Sequence, residues 1–380
     1  MQPGYDDAVR TEGGNRGGGV RSGKGVRSDR GDGERVSWLR RFANAFRVWT
    51  VAVVFAGICA AASGFAESGA APACVPAAGR GGVASKDAPE LCIDGAALMR
   101  HVETLARPEL KGRDTGSPEE KVAAEYLARE LTDAGLMPPP DWTSPIQPFD
   151  FKGSPAHNVV VCLRGDDPVL REEWIVVGAH FDHLGERKGQ VYPGADDNAS
   201  GVAGVIETAR ALRKCAPPLK RSILFCFFTG EERGFVGSRH FLNTSPVPKS
   251  RIVAMLNADM ISRDDTRTIH VVGTQTCDAF AAVVEAGAAR VGLKAVFDHP
   301  EWTYQSDHYV FFSEKIPFLY FGVEDHPDYH RPTDTPEKTN QDQMERVSRL
   351  MLVVVQNLAD APRRPAWREG GVEAADKPRE

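Results

Sequence analysis

Acidic and histidine side chains follow the apolar runs of one stretch of the sequence, residues 174–235. This stretch reads WIVVGAHFDHLG, then GADDNASGVAGVIETAR, then ILFCFFTGEERGF. Five of these side chains lie where a predicted strand ends or a turn begins: His180, Asp182, Asp196, Glu231 and Glu232. Titratable groups at the ends of buried strands lower stability unless something neutralises them, and a divalent cation can do so. The stretch therefore indicates a metal-dependent site.

Two further candidates follow later apolar runs, Asp259 after residues 254–258 and His330 after the last predicted strand. Zinc binds imidazole nitrogens and carboxylate oxygens, and a hydrolytic zinc site keeps one position for water. Two ions about 3.5 to 4 Å apart can share that water and a bridging carboxylate. Five protein ligands, one of them shared, suit a two-metal site: His180, Asp196, Glu232, Asp259 and His330.

The adjacent acids Glu231 and Glu232 are expected to have different roles, because neighbouring side chains point in different directions. One can bind metal while the other takes a proton from the attacking water. Asp182 lies two residues after His180, on the same face of an extended segment. It can therefore accept the second imidazole N–H and fix the orientation of that ring.

The elements that must position these residues alternate between strands and helices. Continuous Val, Ile and Phe runs predict buried strands at residues 174–179, 222–228, 252–256 and 317–321, and helical periodicity separates them. This alternation predicts an α/β sandwich with a mostly parallel sheet, whose strand ends form the site. His157 is expected in a loop ahead of a strand at residues 158–163.

Five motifs occur in this order along the chain: HFDH, GADDNASG, FTGEERG, LNADM and DYHRPTDT. Together they resemble the di-zinc exopeptidases of metallopeptidase family 28, which include bacterial secreted aminopeptidases, glutamate carboxypeptidase and glutaminyl cyclase. The resemblance covers about residues 91–360. It implies a three-layer sandwich with a mixed, mostly parallel central sheet flanked by helices, and two Zn²⁺ per chain.

The resemblance also implies a role for each site residue. One zinc would be bound by His180, Asp196 and Asp259, and the other by Asp196, Glu232 and His330. Asp196 would be the bridge, and the bond from Asp196 to Asp197 would be cis. Glu231 would be the general base, and Tyr329 would donate a hydrogen bond to the tetrahedral intermediate.

The implied activity is that of an aminopeptidase acting on the N-terminal residues of peptides. Three alternatives stay open: a glutaminyl cyclase working with one zinc, a carboxypeptidase, and a noncatalytic binding domain. The number of bound zinc ions separates the first from the aminopeptidase.

Several neighbouring residues receive no ligand role. His183 and Asp197 are expected either to support the ligands from outside or to be structural, and Arg113 to form a structural ion pair. Asp307 and His308 resemble a family segment near the site, and for His308 both substrate contact and packing stay open. The remaining histidines, His270 and His299 among them, are expected to be solvated or structural.

The charge distribution argues against a nucleic-acid partner. The chain of 380 residues has a formal charge of −6. Residues 1–47 contain ten Arg or Lys and six Asp or Glu, a net +4, which leaves −10 for the rest. A globular part of that sign is a poor nucleic-acid binder, so peptides are the expected partners.

The first 66 residues of the sequence predict export. Residues 1–47 are rich in Gly and Arg and are expected to be disordered, and residues 48–66 form an apolar run after arginines. This layout is typical of a signal peptide, or of an uncleaved membrane anchor. Residues 67–90 are predicted to be a linker, 91–360 the zinc peptidase domain and 361–380 a flexible tail.

Six cysteines remain outside the apolar run, an even number that permits disulfides in an exported chain. Cys74 with Cys92 is the expected pair. Cys162 and Cys226 lie inside apolar strands and are expected to be plain buried thiols.

Overall fold

The computed structural model of the chain describes residues 88–370. The predicted segments 1–47 and 48–66, most of the linker and the end of the tail lie outside the described residues. The strands are β1 (Ile146–Phe151), β2 (Ser154–Leu163), β3 (Trp174–His180), β4 (Gly185–Arg187), β5 (Gln190–Tyr192), β6 (Ser222–Phe228), β7 (Ile252–Ala258), β8 (Thr268–Val272), β9 (Lys294–Val296) and β10 (Phe318–Gly322). The helices are α1 (Gly95–Leu105), α2 (Pro118–Asp133), α3 (Gly201–Lys214), α4 (Val236–Asn243), α5 (Phe280–Val291), α6 (His308–Ser313) and α7 (Gln341–Asp360).

Eight strands form one mixed sheet in the order β1-β2-β6-β3-β7-β10-β8-β9, and β4 pairs with β5 in a separate hairpin. The four central strands β6, β3, β7 and β10 are parallel to one another. Antiparallel pairs join β2 to β6, β1 to β2 and β8 to β10. The carboxyl ends of the four central strands therefore meet at one edge, where ligands gather in open α/β sheets.

The alternation of strand residues divides the core into two layers. Ile175 and Val177 of β3 belong to one apolar cluster, which also contains residues of α1, α2, α3, α5 and α7. Trp174 and Val176 belong to a second cluster, which contains residues of α4 and α6. Both faces of the sheet are thus covered by helices, which confirms the predicted three-layer sandwich with a mixed, mostly parallel sheet.

Local signals in the sequence place several helix boundaries. The side chain of Asp94 accepts a hydrogen bond from the Ala96 amide at the start of α1, 3.1 Å away. The Ser117 hydroxyl accepts one from the Glu120 amide at the start of α2, 3.0 Å away. These caps satisfy amides that have no partner inside the helix, so they determine where each helix begins.

The edge strand β1 and its neighbour β2 bound one side of the sheet. β1 contains Pro148, which has no amide proton, and prolines in sheets are largely restricted to edge strands. His157 lies within β2 rather than in a loop, and its Nδ1 is 2.9 Å from a carboxylate oxygen of Glu120. This buried pair joins α2 to β2 and is separate from the strand-end site.

The cysteine pairing also differs from the prediction. Cys92 forms a disulfide with Cys215, so the expected pairing of Cys92 with Cys74 is wrong. The short helix that contains Cys92 lies against α3, whose last turn ends at Cys215. Cys162 is disulfide-bonded rather than a free thiol, whereas Cys226 is free and buried as predicted.

Among the described helices, none combines the length and the apolar character that crossing a membrane requires.

Candidate active site

Asp197 lies at the centre of the candidate site, and its two carboxylate oxygens face two different groups of side chains. Oδ1 is 3.4 Å from His180 Nε2, which is itself 3.3 Å from Asp259 Oδ1. Oδ2 is 3.0 Å from His330 Nε2, which is 3.3 Å from Glu232 Oε1. One carboxylate thus joins two clusters of nitrogen and oxygen donors, which is the arrangement that a two-metal site requires.

The sheet topology explains why these side chains meet. His180 is the last residue of β3, and Asp259 directly follows β7. Glu232 follows β6 by four residues, and His330 lies in the segment after β10. Because these four strands are parallel, their carboxyl ends lie along one edge, and the turn Ala195–Ser200 carries Asp197 to it.

Asp196, the predicted bridge, faces away from both clusters. Its carboxylate accepts hydrogen bonds from the backbone amides of Ser262 (3.0 Å) and Arg263 (3.1 Å). The structure therefore places Asp197, rather than the predicted Asp196, between the two clusters. The predicted cis bond between Asp196 and Asp197 is also wrong. The cis peptide bond joins Asp197 to Asn198.

Polar contacts from distant residues hold the turn Ala195–Ser200 in place. The Asp334 carboxylate accepts hydrogen bonds from the amides of Asp196 and Asp197, at 3.1 Å each. The Asn198 side chain accepts one from the Gly201 amide at 3.0 Å, so Asn198 caps α3. Asp334 is the second aspartate of the motif DYHRPTDT, yet sequence reasoning assigned it no role of its own.

Arg113 connects the turn to the segment after His180. Its fully buried guanidinium donates hydrogen bonds to the carbonyls of Phe181 (2.5 Å), Leu105 (3.0 Å), Pro193 (2.5 Å) and Gly194 (2.7 Å). The predicted ion pair is therefore replaced by a clamp on four backbone carbonyls. Burial lowers the pKa of Arg113 to about 10, so the side chain stays charged at neutral pH.

His183, like Asp197, received no ligand role from sequence reasoning. Its Nδ1 lies 3.0 Å from Glu232 Oε1 and 3.6 Å from Asp197 Oδ2. The only sequence signal was the second histidine of HFDH, which could not be distinguished from a packed side chain. His183 therefore joins His330 beside the second group of oxygens.

The donor atoms of this second group fit a cation. Both ring nitrogens of His183, Asp197 Oδ2 and Glu232 Oε1 are buried and make no hydrogen bond within the described residues. Buried polar atoms are almost always hydrogen-bonded, and unpaired ones require an explanation. Imidazole nitrogens with carboxylate oxygens are the donor set of zinc, so the residues present suit that ion.

Asp182 and Glu231 lie beside the first group. Asp182 accepts hydrogen bonds from the Thr115 hydroxyl (2.8 Å) and the Glu231 amide (3.2 Å). Its Oδ1 is 3.7 Å from His180 Nδ1, and its backbone carbonyl is closer to that nitrogen, at 3.2 Å. Asp182 thus adjoins the second imidazole nitrogen as expected, with the backbone carbonyl as the nearer acceptor.

Tyr329 packs against the histidine that follows it in sequence. Its ring stacks on that of His330, with centroids 3.9 Å apart and 23° between the planes. Burial raises the pKa of Tyr329, and the carboxylates of Asp197 and Asp259 add to this effect. The hydroxyl is therefore protonated at neutral pH and can donate a hydrogen bond.

The electrostatics of the site follow from its excess of buried acids. Burial raises the pKa of the Glu231 carboxyl well above its usual range and that of Asp307 to about 7. Burial has the same tendency at Asp197, but the histidines around it hold its pKa well below the usual range. The pKa of His180 is raised despite its burial, because Asp259 and Glu231 favour the protonated ring. The site thus attracts positive charge.

The segment with Asp307 and His308 separates into two roles. The His308 ring is fully buried, stacks on Phe318 and lies 2.9 Å from the Trp302 carbonyl, which favours packing over substrate contact. Both carboxylate oxygens of Asp307 are buried without a hydrogen bond among the described residues. The two residues therefore differ in their surroundings. His308 is packed and hydrogen-bonded, whereas the Asp307 carboxylate has no hydrogen-bond partner among the described residues.

Comparisons with known proteins agree with this geometry. A sequence model of Peptidase family M28 matches residues 158–355. An aminopeptidase of Pseudomonas aeruginosa is 32% identical over 185 residues, which are 46% of this chain and 32% of that protein. The chain spans between about a third and just over a half of the length of the curated relatives it matches.

Two solved structures share the fold. BSAP, a zinc aminopeptidase from Bacillus subtilis, has a TM-score of 0.58 and 15% identity, over 74% of this chain and 99% of that one. The glutaminyl cyclase of Porphyromonas gingivalis has a TM-score of 0.57 and 16% identity, over 70% and 98%. At such identities the likeness concerns the fold alone, whereas the sequence model covers more than half of the chain. The chain belongs to Peptidase family M28.

Proposed function

We propose that this chain is an exported di-zinc aminopeptidase, which removes N-terminal residues from peptides. The observation that carries the proposal is the position of Asp197, whose two oxygens face two groups of donors. For stability alone, contact with one of the two groups would be enough. The contact of one carboxylate with both groups therefore calls for another explanation. Two cations sharing one ligand explain it directly.

The residues that would bind the ions follow from the distances. His180, Asp197 and Asp259 would hold one zinc. Asp197 and Glu232 would hold the other together with His330, and His183 approaches the same two carboxylates. When bound, zinc supplies a Lewis acid that polarises a carbonyl oxygen and lowers the pKa of water to near neutrality. The Bacillus subtilis neighbour is itself described as a zinc aminopeptidase, which supports the choice of zinc.

Glu231 would be the general base. It is the acid next to Glu232 that belongs to neither group of donors, and it is partly exposed. Burial raises its pKa, so the carboxyl can both take a proton from the attacking water and return it to the leaving amine. Its backbone amide is hydrogen-bonded to Asp182, which fixes the loop that carries it.

The substrate would be positioned by hydrogen bonding and by charge. The protonated Tyr329 hydroxyl can donate a hydrogen bond to the oxygen that becomes negative during hydrolysis. The protonated amino terminus of a peptide would be attracted by the buried acids, whose number exceeds that of the imidazoles. This charge favours an exopeptidase that reads the amino end.

Export is supported by two independent features. The sequence predicts a signal peptide or anchor at residues 48–66, and the disulfide between Cys92 and Cys215 suits an oxidising compartment. Peptides would be the partners, because the negative charge of the folded part disfavours nucleic acid.

The test is the variant Glu231→Gln, which keeps the shape of the side chain and removes its basicity. We expect two zinc ions per chain as in the wild type, and kcat on amino-acid p-nitroanilides lower by about 10²- to 10⁴-fold. Glu125→Gln, on the exposed face of α2, is the matched control and should keep full activity. Unchanged hydrolysis by Glu231→Gln would exclude it as the base.

The alternatives are separated by the same preparation. A glutaminyl cyclase would bind about one zinc per chain and would cyclise peptides with N-terminal glutamine. A carboxypeptidase would leave the p-nitroanilides intact and release residues from the other end of a peptide. A noncatalytic binding domain would turn over none of these substrates.

A further inference from the structure

A separate cluster of histidine and acidic side chains lies near the edge of the sheet, away from Asp197. His270 lies in β8, Asp298 and His299 follow β9, and Glu324 follows β10. His270 Nδ1 is 2.7 Å from Asp298 Oδ1, and His299 Nε2 is 3.5 Å from the same oxygen. Glu324 Oε1 is 2.8 Å from His299 Nε2. Three segments far apart in sequence thus direct donor atoms to one point.

The orientation of His299 is fixed from outside the group. Its Nδ1 lies 2.8 Å from Glu301 Oε1, which leaves Nε2 directed at Asp298 and Glu324. Its ring stacks on Trp302, with centroids 4.0 Å apart and 8° between the planes. A carboxylate that holds the far nitrogen of a histidine is the usual companion of a metal-bound imidazole.

The charge of this group is not balanced by lysine or arginine. Three carboxylates, those of Asp298, Glu301 and Glu324, surround His299, and no Lys or Arg in residues 88–370 forms an ion pair with any of them. The His299 side chain is 20% exposed and that of His270 11%, so an ion from solvent could reach both rings. A divalent cation would neutralise the excess.

The distances suit zinc. Zn–N and Zn–O bonds of about 2.0 to 2.2 Å place tetrahedral ligands about 3.3 to 3.5 Å from one another. The ligand atoms of His270, Asp298 and His299 all lie within 4.8 Å of one another. The closer pairs would need to open by roughly half an ångström, which an exposed carboxylate allows.

We infer that His270, Asp298 and His299 form an additional zinc site, separate from the proposed catalytic pair, with Glu324 next to His299. Glu324 begins the segment that leads to His330, so a bound ion would tie this segment to the edge strands β8 and β9. The inference does not depend on the proposed function.

The test is a zinc count on the purified full chain after equilibration with zinc and removal of the excess. We expect the wild type to bind one zinc more per chain than the double variant His270→Gln/His299→Gln. His240→Gln, a histidine on α4 outside both groups, is the matched control and should keep the wild-type count. If the proposed catalytic site fails to bind zinc, the totals fall but the difference of one remains, so the two ideas fail separately.

Equal counts in the wild type and a folded double variant would overturn the inference. If the double variant does not fold, Glu324→Gln provides the answer, because its side chain is 61% exposed and its loss leaves the core intact. It should weaken the additional site at least about ten-fold in a zinc titration. An unchanged titration would show that the cluster is held by hydrogen bonds alone, as would a crystal without an anomalous zinc peak between His270 and His299.

Discussion

Replacing Arg113 by lysine tests whether the four-carbonyl clamp holds the active-site segments together. The guanidinium is fully buried and donates hydrogen bonds to Phe181, Leu105, Pro193 and Gly194. Lysine keeps the charge, but its three protons leave one atom in a tetrahedral arrangement. From that single point it can serve about two of the four carbonyls.

The expected cost follows from this count. Each buried carbonyl left without a donor costs about 1 to 3 kcal/mol. Two such carbonyls give a loss of about 2 to 6 kcal/mol in the free energy of unfolding for Arg113→Lys. The value belongs to the tail of large mutational effects, where broken buried networks are found.

The clamp should also affect metal binding, because it fixes the segments on either side of the site. Phe181 follows His180 directly, and Gly194 precedes Asp197 by three residues. Outer partners of metal ligands typically change affinity by 10- to 100-fold. We expect a weakening of zinc binding in that range for Arg113→Lys.

Urea unfolding followed by tryptophan fluorescence measures the first effect, and a zinc titration with a competing chelator measures the second. The matched control is Arg233→Lys, whose partner Asp114 is 39% exposed and whose ion pair is worth no more than about 1 kcal/mol. If Arg113→Lys lies within about 1 kcal/mol of the wild type and binds zinc equally well, the clamp does not position the site.

Three further predictions concern other parts of the molecule. Asp197→Asn should reduce the zinc content measured by elemental analysis, whereas Asp196→Asn should keep it; the reverse result would restore Asp196 as the bridge. Because the disulfide between Cys92 and Cys215 closes a separation of 123 residues, replacing both by serine should lower the free energy of unfolding by about 2 to 5 kcal/mol; a smaller loss in urea would count against this constraint. Burial lowers the pKa of His308 from 6.5 to about 3, so the folded protein takes up this proton less readily than the unfolded chain and loses stability as the pH falls below 6.5. By pH 5 this amounts to about 2 kcal/mol, and His308→Phe should reduce the stability difference between pH 7 and pH 5 by that amount in urea unfolding; an unchanged difference would contradict it.

The sequence was sufficient for the positions that depend on strand ends. His180, Glu232 and Asp259 follow continuous apolar runs, and a parallel sheet places the ends of such runs at one edge. His330 was likewise expected after the last predicted strand, and the motif that contains it supported this position through the family resemblance. These positions depend on periodicity and chain direction, which are local properties of the sequence.

The choice between Asp196 and Asp197 depended on a different property. Both are aspartates in the same turn, and either could have been the bridge by residue type. The backbone at Asp197 and Asn198 leaves the helical region, with φ/ψ of −103°/92° and −132°/43°. This turn directs the Asp196 carboxylate at the amide of Ser262 and the Asp197 carboxylate at the two clusters of donors. No pattern of residue types specifies this difference.

Long-range contacts could not be predicted from the sequence for a related reason. Cys92 and Cys215 are 123 residues apart, and only the packing of the first short helix against α3 brings them together. Arg113 was given an ion pair because carboxylates are its commonest partners. The structure instead provides carbonyls from Leu105, Phe181 and the turn before Asp197, which depend on how three loops converge.

The active site therefore rests on two kinds of contact with different physical origins. The sheet brings the ligand-bearing strand ends to one edge through apolar packing, which is insensitive to the details of any one side chain. The turn with Asp197 is held by charged and polar groups from elsewhere, Arg113 and Asp334 above all, through hydrogen bonds that do not involve the proposed zinc ligands' donor atoms. Because these contacts do not use Asp197 Oδ2 or Glu232 Oε1, the protein itself orients the donors before any ion binds. A site oriented in this way loses little conformational entropy on binding metal, which favours affinity.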